Sequence, residues 1–377
     1  MARWLLTGAT GTLGREILWD LIAGGDEVLC LVRGADPREA EARIDDLIAR
    51  RPQGALPAEE RARIRVVQGD LTADRFGMDP KGYEALAEAV TGIIHGAANV
   101  NFTQALPDAR RVNVEGTRQV LAFAHEAKAR GGLTRFEHIS TAYVCGNRRG
   151  PILEGDLTWD QGFNNTYEQT KNEAERMIAE HRGDLPIVVV RPSIVVGDSK
   201  TGYTSSFKVM YFPLKILAAG YVWVIPADPE GRVDLVPVDY VVATMRALRA
   251  NPDSVGRTVH VTAGGAASKI GELVRMGVDF FGVRMPIMIS PKIFDYSLRP
   301  LLYITAGPKR TKKLRAARVF IPYLAHRAAF DTSERDLLVD PTTLAVPSVQ
   351  SYFERLLRYC IDSEWGSKDP VTGAPLR

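Results

Sequence analysis

Six short runs rich in β-branched residues recur along the first half of the chain, each bounded by turn residues and followed by a stretch of helical periodicity: Arg3 to Gly8, Glu27 to Val32, Ile64 to Gly69, Gly92 to Ala97, Arg135 to Thr141 and Pro186 to Arg191. Near-continuous apolar strands that alternate with amphipathic helices call for a parallel sheet covered on both faces and joined by right-handed crossovers. The predicted fold class is α/β, with a doubly wound parallel sheet. Arg257 to Ala263, reading RTVHVTA, predicts one more strand, reached after Val233 to Val242 returns the chain to the sheet. The sheet domain is therefore expected to be discontinuous, residues 1–200 plus 233–263. Residues 201–232 and 264–377 lose the alternation and are richer in Pro, aromatic and basic residues, which predicts a smaller, mostly helical substrate-binding cap.

Composition narrows the class further. Of 377 residues, 45% are hydrophobic and 25% charged, enough apolar material for a sizeable core and far from disordered or fibrous chains. A formal charge of +3, from 48 basic against 45 acidic residues, gives no footing for a nucleic-acid protein, so a polyanion site has to be local. Cys30, Cys145 and Cys360 are widely spaced among apolar neighbours and form no CxxC pair or Cys/His ligand cluster, which argues against disulfides and against a metal site. No apolar run approaches the roughly 18 residues that span a bilayer, and the chain enters a strand without a signal-like segment, so a cytoplasmic protein is expected. There is no internal repeat, and residues 366–377 read as a polar, frayed tail.

The first strand ends in Thr7-Gly8-Ala9-Thr10-Gly11-Thr12-Leu13-Gly14, and a helical stretch from Arg15 to Ala23 follows. Glycines at a strand-to-helix turn let a pyrophosphate approach the first helical N–H groups, whose dipole favours the anion. Opening the first βα unit of a sheet, this turn is expected to bind a dinucleotide through Gly8, Thr10, Gly11, Thr12, Leu13 and Gly14. Its GxxGxxG spacing resembles the short-chain dehydrogenase/reductase superfamily, whose extended branch matches this length and implies a Rossmann-type sheet. The second strand ends Leu31-Val32-Arg33-Gly34, with Arg33 where an NAD-preferring fold places an acid for the ribose hydroxyls. A guanidinium can pair bidentately with a ribose 2′-phosphate, so the expected cofactor is NADPH, with Arg43 assisting; a solvated surface Arg is the plainer alternative. Asp70, and Ala97-Ala98-Asn99, end the third and fourth strands at the edge where open sheets bind ligands, and in the superfamily such positions touch adenine and ribose.

Tyr167-Glu168-Gln169-Thr170-Lys171 opens a helical run, and a spacing of four puts Tyr167 and Lys171 on one face. An ammonium beside a phenol is expected to draw its pKa down, so that the tyrosine donates a proton to a developing alkoxide, while the lysine also holds the nicotinamide ribose. Tyr/Lys pairs at this spacing often merely decorate exposed helices, and the upstream glycine turn is what raises this one. At the end of the fifth strand, His138-Ile139-Ser140-Thr141-Ala142-Tyr143 offers two hydroxyls that strand alternation sends to opposite faces. The residues leave Ser140 and Thr141 both open as the carbonyl-binding hydroxyl. Resemblance to extended short-chain reductases, where the catalytic Ser/Thr precedes the small residue, selects Thr141 and leaves Ser140 to bond locally. Asn113, in Val112-Asn113-Val114-Glu115-Gly116-Thr117, is similar to the superfamily asparagine that supports the catalytic lysine through backbone and water contacts; a helix cap is its plainer reading. Arg191-Pro192-Ser193-Ile194-Val195-Val196-Gly197 resembles the segment beside the nicotinamide, which implies cofactor contacts from Pro192, Ser193 and Ile194.

Longer strings narrow the resemblance. Leu31-Val32-Arg33 with the helix through Arg43, His95 to Phe102, His138 to Val144 and Asn165 to Glu175 look like the thioester-reductase and fatty acyl-CoA reductase branch, also called the male-sterility family. With Gly69-Asp70-Leu71, which adds Leu71 to the cofactor set, and Val236-Pro237-Val238-Asp239, the likeness covers about residues 1–265. Phe320-Ile321-Pro322-Tyr323 and Phe330-Asp331-Thr332 faintly resemble the C-terminal region of fatty acyl-CoA reductases. The resemblance implies hydride transfer from NADPH to the carbonyl of an acyl-CoA or acyl carrier protein thioester, giving a hemithioacetal that expels thiolate to leave an aldehyde, with further reduction to alcohol left open. Cys145 is the one cysteine near the expected site and lacks an adjacent base, so direct reduction without an acyl-enzyme is expected.

Tyr203, Phe207, Met210, Tyr211, Phe212, Trp223, Met285, Ile287, Met288 and Ile289 form an apolar set suited to an acyl chain, or simply to a core. Lys309 to Arg318 carries six cations and no acid. Beside the apolar stretch Phe294 to Ile304, that run suits a carrier protein, CoA phosphates or peripheral contact with an anionic membrane as well as it suits a solvated face. Two other readings share the scaffold. A nucleotide-sugar epimerase or dehydratase has the same Thr/Tyr/Lys set but retains NAD, which Arg33 disfavours; a non-catalytic NADP-binding regulator would be expected to have lost Tyr167 or Lys171, and both are present.

Overall fold

The computed structural model describes residues 1–220, 223–298, 319–325 and 327–370. The strands in chain order are β1 (Arg3–Thr7), β2 (Glu27–Val32), β3 (Ile64–Gln68), β4 (Gly92–His95), β5 (Arg135–Ile139), β6 (Gly150–Ile152), β7 (Ile187–Pro192), β8 (Ile194–Val196), β9 (Val224–Pro226), β10 (Arg232–Val233), β11 (Leu235–Pro237), β12 (Thr258–Val261), β13 (Ser268–Lys269), β14 (Ile287–Ile289) and β15 (Ala328–Phe330). Seven of them form a parallel sheet in the order β12-β7-β5-β4-β1-β2-β3. This is the expected doubly wound, Rossmann-type arrangement. β2 has its expected bounds and β7 runs on to Pro192, whereas β1, β3, β4 and β5 stop short of the expected runs: Gly8, Gly69, Gly96 and Ser140 all lie just past a strand end and open the loops of the site.

The strands are nearly continuous apolar runs because helices cover both faces. α1 (Thr12–Ala23), α2 (Pro37–Ala49) and α9 (Val238–Ala250) pack Ile17, Ile22, Ile44, Val241 and Met245 on one face. α4 (Pro80–Ala89), α6 (Gly116–Ala129) and α7 (Thr166–Glu180) pack Leu86, Val120, Phe123 and Ile178 on the other. The single turn α3 (Ala58–Arg61), α5 (Leu106–Arg110) and a π-helical turn, Arg111–Glu115, complete this part. The strand order reverses between β1 and β4, which places a crevice at their C-terminal ends, where open α/β sheets bind ligands.

A third core joins α8 (Tyr211–Ala218) and α10 (Ile270–Phe281) to the helix Val349–Asp362 through Tyr211, Leu214, Leu273, Tyr352, Phe353 and Leu356. Val233 to Val242 does not join the main sheet: β11 pairs with β8, and α9 starts at Val238. A fourth cluster ties the C-terminal part to the end of β5 through Tyr143, Ile152, Tyr323 and Phe330, with β15 parallel to β6. Among the described residues no helix is long and apolar enough to cross a membrane. The basic run 309–318 and the end of the tail, 371–377, lie outside the described residues.

Candidate active site

The glycine turn is built so that side chains cannot replace Gly8 or Gly14. Gly8 has φ +81°, and a Cβ there would lie 2.7 Å from the Ala97 nitrogen; one at Gly14 would lie 2.0 Å from the Gly8 carbonyl. Gly11 donates its N–H to the Gly8 carbonyl at 2.9 Å and serves as N-cap of α1, with no side chain capping the first turn and no acid in it. The first-turn N–H groups and the positive end of the helix dipole are thus left to an anion. Thr12 accepts a hydrogen bond from Ser205 (3.2 Å), and Leu13 packs into the sheet core. Arg15 was missed by sequence reasoning, although a cation in a helix's first turn opposes the dipole and itself signals an anion. Its guanidinium reaches back over the turn, donating from Nη1 to Tyr203 (2.9 Å) and from Nη2 to the Thr10 carbonyl (3.5 Å), with Nε buried and unpartnered. These residues fit a pyrophosphate.

At the end of β2, Arg33 and Arg43 are both exposed, and Arg43 Nη1 donates to the Arg33 carbonyl at 2.6 Å, which brings the two expected cations to one corner. Asp70 Oδ1 accepts from the Thr72 amide and hydroxyl at 2.8 and 2.9 Å, and Leu71 packs beside Gly116. Ala97 donates its N–H to Thr7 (3.2 Å) on the way to Ala98 and Asn99. Asn113, buried in the π-helical turn, accepts the Asn99 N–H at 2.7 Å and donates to the Asn99 carbonyl (3.1 Å) and to Thr170 Oγ1 (2.9 Å). It caps no helix; it staples the β4 loop to the residue before Lys171.

Asn165 caps α7, accepting the Glu168 N–H at 3.0 Å, so the first turn of that helix begins just before Tyr167. Tyr167 is half-buried and Thr141, at the end of β5, is buried; the Thr141 hydroxyl is near enough to the phenol to favour its ionised form. Thr141 also lies 3.4 Å from the Pro192 carbonyl, which brings the expected nicotinamide segment against the pair. Ser140, on the opposite face, donates to Glu175 and is removed from the site, as the alternation requires. Ser193 donates its hydroxyl to Asp234, which leaves it its backbone and the acceptor side of that hydroxyl to offer a cofactor.

Lys171 is buried on the same face of α7 as Tyr167, with Nζ donating to the Ile139 carbonyl at 2.7 Å and 3.5 Å from His138 Nε2. Burial lowers its pKa to about 8, against the raising effect of Glu175. The phenol of Tyr167 departs from expectation. Burial pushes it up to about 12 and the Thr141 hydroxyl only partly offsets this; the Lys171 ammonium, which donates to the Ile139 carbonyl, does not draw it down. Tyr167 therefore holds its proton at neutral pH, the state a general acid needs. The rings of His95 and His138 lie 5.4 Å apart, tilted by 41°, with His138 next to Lys171, and burial pushes both imidazoles well down, so they are neutral. Burial pushes the Cys145 thiol up to about 12, which suits packing and not a thiolate nucleophile.

An apolar pocket of about 740 Å³, its mouth included, is walled by Ile194, Met210, Leu214, Leu273, Phe320 and Tyr323 among others, and Tyr323 links it through the ring of Phe102 to that of Tyr167. Of the ten residues singled out in the sequence as an acyl-chain set, only Met210 lines it. Trp223 and Ile287 are instead 70% and 64% exposed, Phe207 stacks on Tyr359, and Tyr211 packs in the third core.

Residues 6–245 match the family described as male sterility protein. The human fatty acyl-CoA reductase 1 is 30% identical over 272 residues, 63% of this chain and 52% of that enzyme; the chain spans about half the length of the curated fatty acyl-CoA reductases it matches. Among solved structures, the terminal R domain from the myxalamid PKS-NRPS biosynthetic pathway superposes with a TM-score of 0.81 at 25% identity, covering 97% of this chain and 92% of that one. A UDP-glucuronic acid 4-epimerase from Bacillus cereus, solved with NAD, superposes with a TM-score of 0.66 at 17% identity over 96% of this chain and 99% of that one, and shares the fold alone.

Proposed function

The chain belongs to the male sterility protein family, and from that premise we propose that it is an NADPH-dependent reductase of acyl thioesters, carried by acyl-CoA or by an acyl carrier protein. The observation that carries this reading is the apolar pocket that lies one aromatic layer from Tyr167, its wall residue Tyr323 stacking on Phe102 and Phe102 lying 5.9 Å from the Tyr167 ring: its lining suits an acyl chain and offers nothing to the diphosphate of a nucleotide sugar. The fatty acyl-CoA reductase and R-domain likenesses support the same substrate class.

The residues divide the work as follows. The uncapped first turn of α1 with Arg15 would hold the pyrophosphate, Arg33 and Arg43 the 2′-phosphate, and Asp70, Leu71 and Ala97 to Asn99 the adenosine edge. Lys171 and the Pro192 to Ile194 segment would hold the nicotinamide side. When bound, the cofactor supplies the hydride. As hydride reaches the thioester carbon, the carbonyl oxygen gains negative charge, and Thr141 and Tyr167 are the donors aimed at it. A well-placed donor of this kind is worth about 10² to 10³ in rate. Tyr167 then passes its proton to the alkoxide, giving a hemithioacetal; the C–S bond breaks, the thiol leaves and an aldehyde remains. Asn113 keeps the β4 loop and α7 in register while this happens.

The test is NADPH consumption with acyl-CoAs from short to long, with products identified by mass spectrometry. Aldehyde at one NADPH per acyl group is the expected result, and alcohol at two would extend the reaction by a second reduction. Absence of turnover on CoA esters, carrier-protein thioesters and aldehydes would overturn the proposal, and a bound, non-exchanging NAD in the purified protein would favour an epimerase.

A further inference from the structure

The segment 319–325 returns the chain from the C-terminal part to the active site. Tyr323, only 6% exposed, has two roles in one side chain. Its ring, with Phe320 and Leu324, walls the apolar pocket. That ring also stacks on Phe102 at 5.7 Å and stands edge-on to Tyr143 at 5.2 Å, while Phe102 lies 5.9 Å from the ring of Tyr167. Its hydroxyl donates to the carboxylate of Glu168, the residue after the proton donor, and accepts from Asn165 Nδ2 at 2.7 Å, the residue that caps the catalytic helix.

The clasp is not replaceable packing. Glu168 is fully buried, and an ionised carboxylate there needs every donor it has: the Asn164 N–H (2.9 Å), Asn164 Nδ2 (3.1 Å), Asn165 Nδ2 (3.4 Å) and the Tyr323 hydroxyl. Removing one leaves the first turn of α7 short of a partner beside Tyr167. Removing the ring joins the pocket to the space under Phe102.

We propose that Tyr323, pinned by Glu168 and Asn165, is the specificity-determining partition between the apolar pocket and the Tyr167–Thr141 pair. Its ring limits the bulk an acyl group carries next to the reacting carbonyl, and its hydroxyl sets the posture of the turn that carries Tyr167. This rests on the acyl thioester reading above, but its test also has a readout that does not need turnover.

Two variants separate the roles. Tyr323→Phe keeps the ring and loses the clasp; Tyr323→Leu loses both ring and clasp. Straight-chain and 2-methyl-branched fatty acids of equal length would be titrated against an apolar fluorophore seated in the pocket, and the matching acyl-CoAs assayed with NADPH. Because one methylene in a hydrophobic pocket is worth about 10- to 200-fold in discrimination, Tyr323→Leu should raise the branched-to-straight preference at least tenfold in both readouts. Tyr323→Phe should leave the binding preference unchanged and lower kcat about tenfold with KM nearly constant, the mark of a positioning role. Glu168→Gln, which can still accept from the phenol, should recover most of the kcat lost in Glu168→Ala. An unchanged branched-to-straight preference in Tyr323→Leu, or a Tyr323→Phe variant with wild-type kcat, would overturn the partition. A wild-type chain that reduces no thioester would overturn the functional reading instead, and the fatty-acid titration would still decide the role of the ring.

Discussion

Arg191 Nε stands 2.9 Å from Oε1 of Glu175, both side chains wholly buried between β7 and α7, directly beneath the site. Glu175 accepts from Ser140 on its other oxygen, and Arg191 extends the network to the carbonyls of Glu154 and Asp156. Two charges out of water persist only when each has its partners, and deleting one partner of such a pair costs about 3–5 kcal/mol. Glu175→Ala should therefore lose stability of that order in urea denaturation; a loss below about 1 kcal/mol would show that water reaches the guanidinium.

The same carboxylate tunes Lys171. Its negative charge favours the protonated ammonium, against burial that brings the pKa down to about 8. A rate that needs the ammonium is level at lower pH and falls as pH rises through about 8 in kcat/KM, which reports the free enzyme. Glu175→Gln removes the raising contribution, so this basic limb should move to lower pH. A limb that stays in place would separate it from Lys171.

What the sequence made legible is what local chemistry dictates. The glycine turn, the strands and the Tyr167/Lys171 face follow from backbone needs or a repeat of a few residues, and the fold carries them where they were expected. The pairings that finish the site are remote: Glu175 meets Arg191 across 16 residues and Glu168 meets Tyr323 across 155, with no period to announce either. The acyl-chain set failed for a related reason. Aromatic and Met residues look alike in sequence whether they line a pocket or fill a core, and only packing sorted Met210 into the wall and Tyr211 into the interior. Arg15 is the opposite case, a residue whose conflict with the helix dipole was visible from the start.

Arg33 and Arg43 share the exposed corner at the end of β2, so their cofactor preference can be tested without disturbing the core. A hydrogen bond to a charged group contributes about 1.5–3 kcal/mol, so Arg33→Ala should weaken NADPH binding roughly 10- to 100-fold while leaving NADH within about twofold. Equal losses for the two cofactors, measured by fluorescence titration, would refute the 2′-phosphate assignment.

Tyr167→Phe tests the proton donor most directly. The ring remains against Phe102, so the aromatic wall and α7 are kept, and only the hydroxyl near Thr141 is lost. Nothing in the glycine turn or the Arg33 corner depends on that hydroxyl, so NADPH should bind with unchanged affinity. Turnover should fall by about 10² to 10⁴, the contribution of a positioned general acid, and since the phenol is protonated until near pH 12, no change of buffer in the neutral range should restore it. Thr141→Val, which removes one donor and keeps the acid, should fall less. Activity retained in Tyr167→Phe would move the proton donor to another group, with Thr141 the nearest hydroxyl to examine.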